Sequence, residues 1–215
     1  MEIKEKFKTL YRKIFMCFRQ ELEKELEGCE SFLDLACGIN TPIQNYSKKY
    51  YSVGVDLFEP SVEGSKQKGL HTEYCIMSVL DIDKKFKENS FDCVVALDLI
   101  EHLEKKEGLK LMSMMEKIAK KKVIIFTPNG FLPQGEHFEN VWQIHKSGWN
   151  VEEMQEKGYD VIGINGWKPL RGEMAKNKYS PAFFWNRISD ITQLFTRKNP
   201  KFAFQILCVK EIKNE

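Results

Sequence analysis

Phe32-Leu33-Asp34-Leu35-Ala36-Cys37-Gly38-Ile39-Asn40-Thr41-Pro42, FLDLACGINTP, places an apolar run, an acid and a single glycine directly before a segment that reads as a helix start. The run reads as a strand whose tip carries Asp34 and, at Gly38, a point where backbone can be approached closely because no side chain intervenes. About twenty residues on, Val53-Gly54-Val55-Asp56-Leu57-Phe58 repeats the layout, with an acid at the tip of a second apolar strand. Further apolar runs lie near 72–77, 91–97, 122–127, 159–166 and 202–210, beside the first two at 31–36 and 51–56. Between most of them stand helical segments: PIQNYSKKY, PSVEGSKQKG, LEKKEGLKLMSMMEKIAKK and SGWNVEEMQEKG.

Alternating strands and helices imply βαβ units, and the near-continuous apolarity of FDCVVAL and KVIIFTP fits strands buried on both faces. The expected architecture is a doubly wound α/β fold, a seven-stranded, mainly parallel sheet with helices on both faces. One domain over 1–215 is expected: a leading amphipathic helix within 1–28, a core over 31–166, an insertion over 167–201 and a final strand over 202–210. The leading helix is read from Ile3, Phe7, Leu10, Ile14, Phe18, Leu22 and Leu26, spaced by three and four.

The 215 residues are 42% hydrophobic and 12% aromatic, enough for a substantial core. Lys and Arg total 33 against 31 Asp and Glu, a balance that argues against a protein built to neutralise nucleic-acid phosphates. Cys17, Cys29, Cys37, Cys75, Cys93 and Cys208 contain no C-x-x-C pair and read as reduced thiols of a cytoplasmic protein. The start, MEIKEKFKTLYRK, lacks the apolar centre of a signal peptide, and no segment reaches the length of a membrane span.

In an open parallel sheet, ligands sit beyond the carboxyl ends of the strands, so residues at the strand tips carry the functional information. An acid at the Asp56 position can accept both hydroxyls of a ribose. A dinucleotide would also need G-x-G-x-x-G to bring its pyrophosphate onto a helix N-terminus, and that motif is missing. A nucleoside without phosphate needs only the close approach that Gly38 permits.

FLDLACG, VGVD, SFDCVVALDLIEHL and VIIFTPNG, in that order and spacing over about 31–166, resemble the successive motifs of class I S-adenosylmethionine-dependent methyltransferases. The resemblance is strongest to the small-molecule, type 11, quinone-methyltransferase-like group. It implies a Rossmann-like fold, S-adenosylmethionine as cofactor and S-adenosylhomocysteine as product. By position it implies that Asp34, Ala36 and Gly38 line the methionine end, that Asp56 holds the ribose, and that Leu57 lies beside the adenine. Ser78 and Val79 would flank the adenine, and Leu97 and Asp98 would border the pocket. Ala36 stands where the family's first glycine is usual, Asn40 where a third often sits, and Ser78 where an acid is common, with Asp81 nearby.

Methyl transfer to oxygen or nitrogen needs a deprotonated or neutral acceptor, and a histidine titrating near neutrality suits the general base. The candidates are His145, behind which SGWN is expected to open a helix, and His137, both in the long stretch after the fifth strand. Asp98, Glu101 and His102 resemble the metal cluster of some relatives, including quinone O-methyltransferases and small-RNA methyltransferases. Asp98 stands where those relatives use Glu, so no metal ligand is assigned.

The 167–201 insertion, with eight Lys or Arg against two Asp or Glu over 166–201, is expected to be a basic aromatic cap. Ser180-Pro181 should open its helix, with Phe184, Ile188, Ile191 and Phe195 on one side. The cap suits an anionic acceptor or an anionic membrane surface carrying a lipid-linked one. No Asn or Asp is followed by Pro-Pro after the fourth strand and there is no Pro-Cys dipeptide, so the likeness does not extend to base-modifying DNA methyltransferases. The expected acceptor is a small molecule or a lipid or glycan headgroup, with no nucleic acid, acting in the cytoplasm or at a membrane periphery. The competing readings are a catalytically silent module binding a membrane or protein, and a nicotinamide-dependent oxidoreductase.

Overall fold

The computed structural model describes residues 18–134, 143–172 and 175–213. Cys17, His137 and the leading-helix residues before Phe18 lie outside them. The order of elements is α1 (Phe18–Leu26), β1 (Ser31–Leu35), α2 (Gln44–Ser47), β2 (Tyr51–Asp56), α3 (Glu59–Gln67), β3 (Glu73–Ile76), β4 (Phe91–Leu97), α4 (Lys105–Ile118), β5 (Ala119–Pro128), α5 (Val151–Glu156), β6 (Asp160–Trp167), α6 (Ala182–Thr196) and β7 (Ala203–Glu211). Single 3-10 turns stand at Val79–Lys84, Ile100–His102, Lys168–Leu170 and Pro200–Phe202.

All seven strands join one sheet in the order β3-β2-β1-β4-β5-β7-β6. The pairs among β1 to β5 are parallel, and β7 runs antiparallel to both β5 and β6. The chain winds outward from β1 to β3 and resumes beside β1 with β4. This reversal opens a crevice at the carboxyl ends of β1 and β4, where a ligand can enter.

Alternation along the central strand divides the core. Val94 and Ala96 face one side with Leu33, Met112, Met115 and Ile125, whereas Cys93, Val95 and Leu97 face the other with Leu22, Leu26 and Phe32. Strand β4 is buried at every position, as its unbroken apolar run requires. Helix α4 begins with a reciprocal capping box between Glu104 and Glu107 and buries Leu111, Met112, Met115 and Ile118 on the sheet. Cys29, Cys37, Cys75, Cys93 and Cys208 are buried free thiols. Among the described residues no helix is long and apolar enough to cross a membrane.

Two local expectations need correction, and a third holds with an addition. The helix expected over PIQNYSKKY shrinks to Gln44–Ser47. The helix expected from Ser147 starts at Val151, because the Asn150 side chain caps it by accepting from the Glu153 amide, while the Ser147 hydroxyl donates to the Ile100 carbonyl. Helix α6 has the expected aromatic stripe, but the face laid on β6 is polar: Ser189, Gln193 and Thr196 are its buried residues.

Candidate active site

Two cavities adjoin at the carboxyl ends of the central strands. The first, about 230 Å³, is bordered by Ala36, Gly38, Asp56, Leu57, Ser78 and Val79 and reaches Asp98, His102 and Gln143. The second, about 410 Å³, shares those last three residues and extends past Glu101, His145, Phe126, Asn165, Phe204 and Gln205. Asp98, His102 and Gln143 thus form the common wall.

Backbone in the left-handed region gathers at this wall. Ala36 (φ 55°), Gly38 (φ 58°) and Asp98 (φ 51°) all line the first cavity. For the two non-glycine residues this conformation costs free energy, a pattern that concentrates where a site holds its backbone in place. A side chain at Gly38 would meet nothing closer than the Asn40 carbonyl at 3.9 Å, so the space over the turn is open to a ligand.

The Asp56 carboxylate is fixed from below, accepting from the Gly38 amide at 3.0 Å and the Phe58 amide at 2.9 Å. Each carboxylate oxygen keeps further acceptor capacity for a hydroxyl. Above it lies an apolar slot of Leu57, Val79, Leu80, Leu99 and Leu103. An acid that can take a ribose, a turn with open space above it and an apolar slot for a base together fit an adenosine with an amino-acid tail.

Not every expected cofactor residue reaches that slot. Asp34 is buried, its carboxylate turns to His71 Nε2 at 2.9 Å, and it is not part of the cavity lining. Leu97 packs into the core with Phe32 and Phe126, because the alternation that turns Ala96 to one face turns Leu97 to the other. Asp81 pairs with Lys84 away from the lining. Ser78 lines the cavity and its hydroxyl caps the following turn by accepting from the Leu80 amide.

The second cavity has an acid and histidine wall. Glu101 is 2% exposed and accepts from the Thr127 hydroxyl at 3.0 Å. Its backbone carbonyl accepts from the Lys146 and Ser147 amides, tying the 143–149 segment to the turn after β4. Trp149, fully buried, donates its indole N–H to the Ile100 carbonyl and to Ser147, with the Lys105 ammonium over its ring at 3.5 Å. These contacts bring His145 against His102, ring centroids 4.8 Å apart.

A carbonyl can only accept, so Nδ1 of His145 donates to Leu132 at 2.6 Å and Nδ1 of His102 donates to Ile144 at 3.2 Å. In the neutral rings both Nε2 atoms therefore carry the lone pair. One ligand atom each from Glu101, His102 and His145 lies within 4.8 Å of the others. Burial raises the Glu101 carboxyl well above its ordinary value, with the Asp98 charge adding to the effect. Burial likewise pushes Asp98 up to about 7, opposed by the N–H that Gln205 donates to it, and lowers His102 to about 4, with His145 second in effect. The wall is rich in bases and poor in cations: among the described residues no lysine or arginine pairs with either carboxylate.

His71, Thr127, Gln143 and Gln205 escaped the sequence reading. Each meets its partner only after folding, His71 37 residues from Asp34 and Gln205 107 from Asp98.

Residues 33–127 match the type 11 methyltransferase family model, described as "Methyltransferase domain". Among curated proteins no sequence matches the chain. A SAM-dependent methyltransferase from Archaeoglobus fulgidus is similar in structure, with TM-score 0.56, 17% identity, and coverage of 95% of this chain and 99% of that one. The PH0226 protein from Pyrococcus horikoshii OT3 gives TM-score 0.60 at 16% identity over 94% and 91% of the two chains. Phosphoethanolamine N-methyltransferase 2 of Haemonchus contortus, solved with S-adenosyl-L-methionine, gives 0.56 at 17% over 92% of this chain and 52% of that one. The ordered motifs, the switch-point cavity with Asp56 on its lining and the family match agree: residues 33–127 match the methyltransferase-domain family, on a sheet whose fold is that of S-adenosylmethionine-dependent methyltransferases.

Proposed function

We propose that this domain methylates an oxygen or nitrogen nucleophile of a small or lipid- or glycan-linked acceptor seated in the larger cavity. The observation that carries this reading is the shared wall: Asp98, His102 and Gln143 border both cavities, so a donor in one and an acceptor in the other meet there. Asp56, Ala36, Gly38, Leu57, Ser78 and Val79 hold the cofactor, which supplies an electrophilic methyl on a sulfonium. Most of the acceleration comes from alignment of the two reactants. As the acceptor's lone pair forms the new bond to the methyl carbon and the carbon–sulfur bond breaks, the acceptor proton passes to Nε2 of His145. The Leu132 carbonyl on Nδ1 holds the ring in the tautomer this transfer needs.

A second role for the same wall is favoured by its donor set. Two imidazole nitrogens and a carboxylate fit a divalent cation, with Glu101, His102 and His145 as ligands; held there, it would acidify an acceptor hydroxyl. Backbone carbonyls on both Nδ1 atoms are the outer partners that orient metal-binding histidines.

The test is transfer of labelled methyl to pools of hydroxyl- and amine-bearing small molecules and headgroups, run with and without a chelator. His145→Ala is expected to lower turnover about 100-fold or more, the range for loss of a general base, while S-adenosylhomocysteine affinity changes less than about threefold. Equal turnover in the variant would remove His145 from the chemistry. Loss of turnover on chelation, restored by a divalent ion, would select the cation over the free base.

A further inference from the structure

Helix α6 is folded with its polarity reversed. Its inward face is held by polar contacts: the Gln193 side chain donates to the Gly163 carbonyl and accepts from the Gly166 amide, both at 2.8 Å, and Thr192 accepts from the Trp167 amide. Its apolar residues point away from the protein: Phe183 is 74% exposed, Ile191 58% and Phe195 55%, with Phe184 and Leu194 beside them. At 100° per residue these five span an arc of about 120°, opposite the buried Ser189, Gln193 and Thr196. An apolar helical stripe of this size left in water marks a contact surface.

The charge around the stripe selects the partner. Lys176, Lys178, Lys198 and Lys201 are all exposed on the segments flanking the helix, whereas the helix's own acid, Asp190, is met by Arg187. An aromatic face with exposed lysines on the segments at both ends of its helix complements a bilayer with anionic headgroups, into which the rings insert while the ammonium groups meet lipid phosphates. The cap is also joined to the larger cavity. Asn165 and Ala175 line it, and Arg171 ties them together by donating to both of their carbonyls as well as to the Ser189 hydroxyl.

We propose that the exposed face of α6 seats the protein on an anionic membrane surface and so presents the larger cavity to a lipid-borne acceptor. The acceptor half of this statement rests on the proposed function; the membrane half does not.

Flotation with phosphatidylcholine vesicles containing about one-third phosphatidylglycerol tests the membrane half without any acceptor. The full chain is expected to float with these vesicles, to release as salt rises, and to bind phosphatidylcholine alone at least tenfold more weakly. Phe183→Ser/Ile191→Ser/Leu194→Ser and, separately, Lys198→Glu/Lys201→Glu are each expected to lose at least tenfold in vesicle binding while S-adenosylhomocysteine affinity stays unchanged. Failure of the full chain to float overturns the proposal, as does equal binding by both variants. A dimer that the serine variant dissociates, with no vesicle binding, also overturns it and assigns the face to a second copy of the chain. None of these results bears on methyl transfer, which the labelled-methyl assay reads separately.

Discussion

Asp56→Ala is expected to weaken S-adenosylhomocysteine binding about 100-fold in calorimetric titration. The carboxylate has two tasks: it accepts from Gly38 and Phe58 below and leaves acceptor positions for ribose hydroxyls above. A hydrogen bond to a charged group contributes roughly 1.5–3 kcal/mol, and each 1.4 kcal/mol is about tenfold in affinity. Loss of the ribose contacts alone thus accounts for about one to two decades, and release of the turn that carries Gly38 adds to it. Asp56→Asn keeps one acceptor oxygen and should fall between the two, near tenfold. Unchanged affinity in the alanine variant would mean that the ribose lies elsewhere and that the acid serves only the turn.

The second large effect concerns the seat of α6. At Gly163 the backbone of β6 runs against the end of the helix: a Cβ there would stand 2.8 Å from the Ala203 methyl and in collision with the Thr196 carbonyl. The Thr196 oxygen belongs to backbone and cannot rotate away. Gly163→Val should therefore force helix and strand apart and break the Gln193 and Arg197 contacts to residue 163. Overpacking of this kind costs about 3 kcal/mol, which for a chain of this size lowers the thermal midpoint by roughly 6–12 °C. Circular dichroism melting reads the shift, and Gly163→Ala should show the same sign at smaller size. A midpoint within about 2 °C of the parent would show that the helix does not rest on β6 at this point, and would remove the reason for its apolar face to point outward.

The fold was legible because its signals are local. FLDLACG, VGVD, FDCVVAL and KVIIFTP are strands whose apolar runs need no partner to be recognised, and the acids after the first two pointed to the carboxyl ends of the sheet as the ligand side. Ala36, Gly38, Asp56, Leu57, Ser78, Val79 and Asp98 were assigned to the cofactor through the family resemblance, and all of them line the smaller cavity. Asp34 and Leu97 were assigned there by the same resemblance and lie outside its lining, since a strand residue's face depends on register and on a partner such as His71 that adjacent sequence does not reveal. The basis of the acceptor wall was half visible. Glu101 and His102 are neighbours in sequence, but His145 joins them through contacts spanning more than forty residues, among them those of the Glu101 carbonyl, the Ile144 carbonyl and the Trp149 anchor. The aromatic spacing of α6 foretold a helix with one apolar side. Which side meets the sheet was decided by Ser189, Gln193 and Thr196, whose hydrogen bonds to β6 have no signature in hydrophobic periodicity.

The central claim is that cofactor and acceptor occupy adjoining cavities that meet at Asp98 and His102. A crystal structure with bound S-adenosylhomocysteine tests it directly. The account predicts ribose hydroxyls on Asp56, adenine between Leu57 and Val79, and the thioether sulfur turned toward Asp98 with the cavity beside Glu101 and His145 still open. A ligand seated in that larger cavity, or one whose sulfur points away from Asp98, would contradict it.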